Sequence, residues 1–155
     1  MSFIAVKSFA KINLALNVTD KLKLLHKIES IVSFISLRDL IFIKKITGPD
    51  HQICFYGNFS KNIGSNNTVT KLFKILDEKK LLKDRKFEIK IKKNIPQKAG
   101  LGGGSMNASS VLNFLIKKKI VKISQKQIQN ISSLIGSDVI LGIHQSSAEI
   151  GRAHV

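Results

Sequence analysis

The chain has 155 residues, 43% of them hydrophobic and 23% charged, which suits one domain with a core of its own and excludes a disordered chain. Its single cysteine, Cys54, cannot form an internal disulfide, reads as a small apolar filler, and suits a reducing cytoplasm. The formal net charge of +16 raises nucleic acid as a partner, yet only Arg38, Arg85 and Arg152 are arginine, and the lysines lie in every segment. Arginine reads phosphates and bases better than lysine, so compositional drift explains the charge better than a nucleic-acid partner does. Lys7 and Lys11 interrupt any N-terminal apolar run, so no signal peptide is expected and the location should be cytoplasmic. Residues 28–43 carry Glu29, Arg38 and Asp39 and do not read as a membrane span.

In chain order, residues 3–18 read as strand-rich, with Ile12, Leu14 and Leu16 on one face and Lys11 and Asn13 on the other. Residues 19–25 read as a loop. Residues 27–36, 39–46 and 52–56 read as strands, with turns at Leu37-Arg38-Asp39 and Gly48-Pro49-Asp50. Asn66-Asn67 precedes an amphipathic helix with Val69, Leu72, Phe73 and Leu76 on its apolar face, which makes N-capping the simplest role for Asn67. Lys79-Lys80 and residues 83–86 read as a solvated turn. Phe87-Glu88-Ile89-Lys90-Ile91-Lys92 alternates as a strand with one polar face does. Ser124 is placed to cap a helix through Ile135, with Ile128, Ile131 and Leu134 buried and Gly136 as its end.

Between the alternating strand and a helical run at Ala108, Val111, Leu112, Leu115 and Ile116 lies the stretch Ile95-Pro96-Gln97-Lys98-Ala99-Gly100-Leu101-Gly102-Gly103-Gly104-Ser105. A glycine-rich loop that feeds a helix N-terminus offers an anion unpaired N–H groups and a partial positive charge. Glycines also let the backbone approach phosphate oxygens closely, and Ser105 can cap the helix or reach the same anion. A Walker loop is excluded because no lysine follows Gly104. A dinucleotide fingerprint is excluded too: the sixth position is Ser105 counted from Gly100, or Asn107 from Gly102, and residues 118–126 hold no acid. A plain strand-to-helix turn would explain one or two of these glycines better than four. Asp138 stands between Gly136 and an apolar run, where it either caps a helix from Val139 or serves a site, since an unpaired buried charge is costly.

The pattern Pro-x-x-x-Gly-Leu-Gly-Gly-Gly-Ser resembles the phosphate loop of the GHMP kinases, the superfamily of galactokinase and of homoserine, mevalonate and phosphomevalonate kinases. Ala10-Lys11-Ile12-Asn13-Leu14 and Ile135-Gly136-Ser137-Asp138-Val139 are similar in order and spacing to two further motifs of that superfamily. Within it, the three motifs together most resemble the kinases of 4-diphosphocytidyl-2-C-methyl-D-erythritol, which belong to non-mevalonate isoprenoid biosynthesis. The resemblance implies an α+β fold, that of the GHMP kinase N-terminal lobe, which is ribosomal protein S5 domain 2-like. It implies ATP with Mg2+ as cofactors and transfer of a phosphoryl group to the 2-hydroxyl of that cytidyl substrate. By the same resemblance Lys11 and Asp138 are catalytic, and Asn13 and His26 bind the substrate. Asn67 and the run Pro96, Gln97, Lys98, Ala99, Gly100, Leu101, Gly102, Gly103, Gly104 and Ser105 bind ATP. Leu25 stands where the family has an aromatic beside its histidine. Met106 stands for a usual serine, Lys98 for a small residue and Ser109 for an alanine.

The resemblance covers about residues 3–147, so residues 1–148 are expected to be the ATP-binding N-terminal domain, with the C-terminal GHMP domain missing. Residues 149–155 back-translate into a common sequencing adapter and are expected to be artefactual, which leaves Arg152 and His154 without a role. Other readings weighed are another GHMP small-molecule kinase, a basic S5-like nucleic-acid-binding module, and an inactive fragment.

Overall fold

The computed structural model describes the backbone of residues 2–22 and 25–148, and their side chains except at 15–30 and 145–148. The expected artefactual tail, 149–155, lies outside the described residues, as does the side chain of His26. The elements run β1 (Ile4–Leu22), β2 (Leu25–Ile46), β3 (Gln52–Tyr56), α1 (Thr68–Glu78), β4 (Lys86–Lys92), α2 (Gly103–Lys117), α3 (Gln125–Ile135) and α4 (Val139–Ala148). The four strands form one sheet in the order β1-β2-β4-β3. β2 is antiparallel to β1 and β4, while β3 runs parallel to β4 after a crossover through α1. Strands and helices in this arrangement make the expected α+β architecture.

Alternation along β4 decides what each face of the sheet does. Phe87, Ile89 and Ile91 point inward with Ile41 and Ile43 of β2, against Val69, Leu72, Phe73 and Leu76 of α1 and Ala108, Val111, Leu112 and Leu115 of α2. The other face is polar: Glu88 pairs with Lys44 at 3.4 Å and Lys90 at 3.6 Å, and both lysines lie over the ring of Phe3. Because the sheet is covered by helices on one side, the glycine loop leaves β4 at the edge of the core and enters α2 directly.

Several local expectations are corrected. Leu37-Arg38-Asp39 is not a turn; β2 runs unbroken through it, and its register with β1 passes from Phe9↔Arg38 to Lys11↔Phe34, so that residues 35–37 face Ala10 alone. The turn-forming Asp39 is bonded across strands instead, to Lys93, Asn94 and Ile95. Residues 19–22 belong to β1, and Leu25 already opens β2. On β1 it is Lys11 that is buried, while Leu14, expected on the opposite face, is 56% exposed. Cys54 is exposed on β3, an edge strand, and fills nothing. Leu134 is also 56% exposed, because the buried stripe of α3 is Ile128, Ile131, Ser132 and Ile135 and the 3.6-residue period carries position 134 off it. Of the lysine-rich turn, Lys86 opens β4 and binds Asp77 at 3.0 Å, while Arg85 donates to the carbonyl of Ile120. Helix starts are as expected at two places. Asn67 caps α1 by accepting from Thr70 N, and Ser124 forms a capping box with Gln127. No helix among the described residues is long and apolar enough to cross a membrane.

Candidate active site

The loop between β4 and α2 is shaped by three attachments. Lys11 N donates to Leu101 O at 3.0 Å, fastening β1 to the loop. Thr68 Oγ1 donates to Gly104 O at 2.6 Å, fastening α1 to it, and Gln97 Nε2 donates to the carbonyls of Phe59 and Lys61. The helix begins at Gly103, and its cap is Gly102 with φ +67 and no side-chain cap. Ser105 therefore lies in the first turn and does not cap it, so the first N–H groups of α2 stay free for a ligand.

Gly102 is required here for two reasons. Its φ is left-handed, and a Cβ would meet Lys11 Cγ at 2.9 Å and Cε at 3.0 Å. The Lys11 side chain, 7% exposed, lies flat against the loop and brings its Nζ to 3.2 Å from Asp138 Oδ2. Asp138 stands immediately before α4, and its carboxylate goes to Lys11 while its carbonyl accepts from Leu141 N. α4 is held in place through Ser109, whose hydroxyl donates to Val139 O and lies close to Ser105 O, and through Gly142, which leaves no room for a side chain beside Ser109. Two residues 127 positions apart in the chain, reckoned from their numbers 11 and 138, thus form one ion pair beside the free end of α2.

A cleft of about 570 Å³ opens above this arrangement. Every residue of 95–105 lines it, together with Lys11, Asn67, Thr68, Lys71, Lys93, Asn107 and Asp138. The ten loop residues expected to bind ATP, with Asn67, Lys11 and Asp138, are therefore brought together. Asn13 is not: it is exposed and lies outside the lining, although it follows Lys11 by two on the same face of β1. Lys98 is exposed with φ +57, and Met106 is buried in the core.

The sequence reading missed Lys71, Thr68 and a buried group beneath the loop. Lys93, Asp39 and Asn107 are 3%, 0% and 1% exposed and bonded to one another. Lys93 was findable, because alternation through Phe87, Ile89 and Ile91 places position 93 on the inner face. Charge at the cleft favours an anion: Lys11, Lys71 and Lys93 line it, the first turn of α2 holds no acid, and Asp138 is the one carboxylate in the lining among the described residues. No group of three or more His, Cys, Asp or Glu that could hold a metal occurs among the described residues.

Residues 67–148, which hold α1, β4, the loop and α2 to α4, match the family described as GHMP kinases N terminal domain. The chain belongs to the GHMP kinases. It is 60% identical over 148 residues to 4-diphosphocytidyl-2-C-methyl-D-erythritol kinase of Pelagibacter ubique, covering 96% of this chain and 53% of that protein. It is 36% identical to the kinase of the same name from Clostridioides difficile, over 90% of this chain and 47% of that one. Among solved structures, a 4-(cytidine 5'-diphospho)-2C-methyl-D-erythritol kinase superposes with a TM-score of 0.72 at 24% identity, over 90% of this chain and 48% of that one. Mevalonate kinase of Methanococcus jannaschii does so with 0.54 at 17% identity, over 91% and 48%. Both structures show the same GHMP fold. The chain spans about half the length of the curated relatives it matches.

Proposed function

We propose that this chain is the ATP-binding part of a kinase that phosphorylates the 2-hydroxyl of 4-diphosphocytidyl-2-C-methyl-D-erythritol. The observation that carries the proposal is the Lys11–Asp138 pair, 3.2 Å apart, beside a glycine loop whose helix-terminal N–H groups are free. The names of the relatives support the substrate. In this reading residues 1–148 form the nucleotide lobe, and residues beyond the matched half of the relatives complete the substrate wall.

Phosphoryl transfer needs an aligned donor and acceptor and neutralised charge on the moving group. The backbone of Gly102, Gly103, Gly104 and Ser105 cradles the ATP phosphates, with Asn67 and Thr68 on the nucleotide side. The substrate hydroxyl oxygen forms a bond to the γ-phosphorus as the bond to the β-phosphate oxygen breaks, and ADP leaves. Asp138, 38% exposed toward the cleft, accepts the hydroxyl proton, and Lys11 holds that carboxylate and balances charge on the phosphoryl oxygens. Asn13 and His26, both on the β1–β2 ribbon, are the proposed substrate contacts. A lining with one carboxylate fits Mg2+ carried in on the phosphates with its waters, where it supplies charge neutralisation, and does not fit a protein cage.

The test is ATP-dependent phosphorylation of the cytidyl substrate by the chain joined to a C-terminal half like that of its relatives. Lys11→Ala and Asp138→Asn are each expected to lower kcat by about 10²-fold or more, with ATP still bound by Asp138→Asn. Absence of turnover with this substrate, together with retention of RNA at moderate salt, would overturn the proposal.

A further inference from the structure

A buried polar group lies beneath the loop between β4 and α2, outside the phosphoryl-transfer chemistry proposed above. Asp39 sits on β2 opposite Ser8 of β1, fully buried. One of its oxygens accepts from Asn94 N at 2.7 Å and Ile95 N at 2.9 Å, where the chain leaves β4 to enter the loop. The other accepts from Lys93 Nζ and from Asn107 Nδ2, the latter at 3.0 Å. Asn107 lies in α2, just past the loop, and its two amide hydrogens are taken by Asp39 and by Ser8 Oγ at 3.0 Å, while its Oδ1 accepts from Lys93 at 2.9 Å. The carboxylate thus has all four of its acceptor sites filled.

We infer that Asp39 is the clasp of the phosphate loop, a positioning residue whose single carboxylate holds both ends of the loop at once, the take-off at Asn94–Ile95 and the helix at Asn107. A buried ion pair is a poor way to gain stability, because apolar side chains of the same volume would serve as well at less desolvation. What an apolar floor cannot do is bond two backbone N–H groups and a side-chain amide from opposite ends of a glycine-rich segment. Glycines make that segment deformable, and a phosphate cradle requires its donors at fixed positions before the ligand arrives. The role rests on the reading of the loop as a phosphate site, but the positioning itself is measurable without ligand.

Amide hydrogen exchange decides it, read at four bonded N–H groups around the loop: Asn94, Ile95, Lys11, which bonds Leu101, and Met106, which bonds Gly102. Asp39→Asn should speed exchange at all four by about tenfold or more while amides in the middle of α1 and α3 hold. A double variant, Asp39→Leu with Lys93→Met, leaves no unpaired charge; it should regain the melting temperature without regaining protection at the four amides. Asn107→Leu keeps the ion pair and should loosen Met106 alone, leaving Asn94 and Ile95 protected. Unchanged exchange in Asp39→Asn, or protection restored in the double variant, overturns the clasp. Inorganic triphosphate and adenosine then separate this inference from the functional one. Asp39→Asn should weaken triphosphate by about tenfold and leave adenosine unchanged. A wild-type chain that binds neither sinks the nucleotide reading, whereas the exchange data judge the clasp by themselves.

Discussion

Gly102→Ala tests how the loop and the Lys11–Asp138 pair are joined. Gly102 and Gly100 are both left-handed, with φ +67 and +74, so alanine at either position costs about 1–2 kcal/mol of backbone strain. Their surroundings differ. A Cβ at Gly100 meets nothing within 4 Å, whereas at Gly102 it lies 2.9 Å from Lys11 Cγ and 3.0 Å from Cε. The Lys11 chain must then shift by several tenths of an ångström, and its Nζ leaves the 3.2 Å contact with Asp138. Misplacement on the order of 1 Å at a reacting centre costs about 10²-fold in rate. The assay is steady-state phosphorylation in the two-lobe protein, with thermal melting of both variants alongside. Gly100→Ala and Gly102→Ala should lose similar stability, with turnover falling about 10²-fold in Gly102→Ala and by less than about tenfold in Gly100→Ala. Equal turnover in the two variants would refute the argument that Lys11 is seated by the missing side chain of Gly102.

Three further outcomes follow from the packing. His51 Nδ1 accepts from Phe87 N at 3.1 Å, so the ring is neutral and its Nε2–H donates to Asp77 at 3.1 Å. Burial against Phe73 and Phe87 holds its pKa below the usual 6.5, opposed by Asp77. The unfolded chain therefore binds this proton more readily, and stability is complete above pH 6.5 and declines as pH falls through that value toward the folded pKa. Urea midpoints from about pH 8 to about pH 5 should show the decline, and His51→Gln should flatten that part of the curve. Gly142→Ala places a Cβ 2.5 Å from Ser109 Cβ and Oγ, which should cost about 1–3 kcal/mol of stability, partly recovered by Ser109→Gly in a melting experiment. Ser132 Oγ is buried without a hydrogen-bond partner, so Ser132→Ala should raise stability by about 1 kcal/mol; a lowered melting temperature would show the hydroxyl to be satisfied.

Much of the local structure was legible in the sequence because its causes are local. Asn67 and Ser124 cap helices through bonds to residues three ahead, and the alternation of residues 87–92 sets the buried face of β4 without reference to any other strand. The four glycines before Ser105 announce a loop entering a helix for the same reason, since the freedom to be left-handed belongs to the residue itself. Lys11 and Asp138 were legible only through the order and spacing of known motifs. Nothing in either segment states that their side chains meet, and the 3.2 Å pair exists because β1, α2 and α4 pack around Gly102, Ser109 and Gly142.

Only the tertiary structure decided what Asp39 does. Beside Leu37 and Arg38 it reads as a turn former, since a short carboxylate in isolation bonds its own backbone. Folding offers it Lys93, Asn94, Ile95 and Asn107, more than fifty residues away, and four donors on a buried carboxylate outweigh one local bond, so β2 runs straight through. Leu134 shows the converse, an apolar residue left outside because α3 can bury one stripe only and Ile135 holds that position. Caps, glycine conformations and strand alternation are short-range and were determined by the sequence alone; the clasp, the cleft and the Lys11–Asp138 pair required distant residues to be brought together, and were decided by the fold.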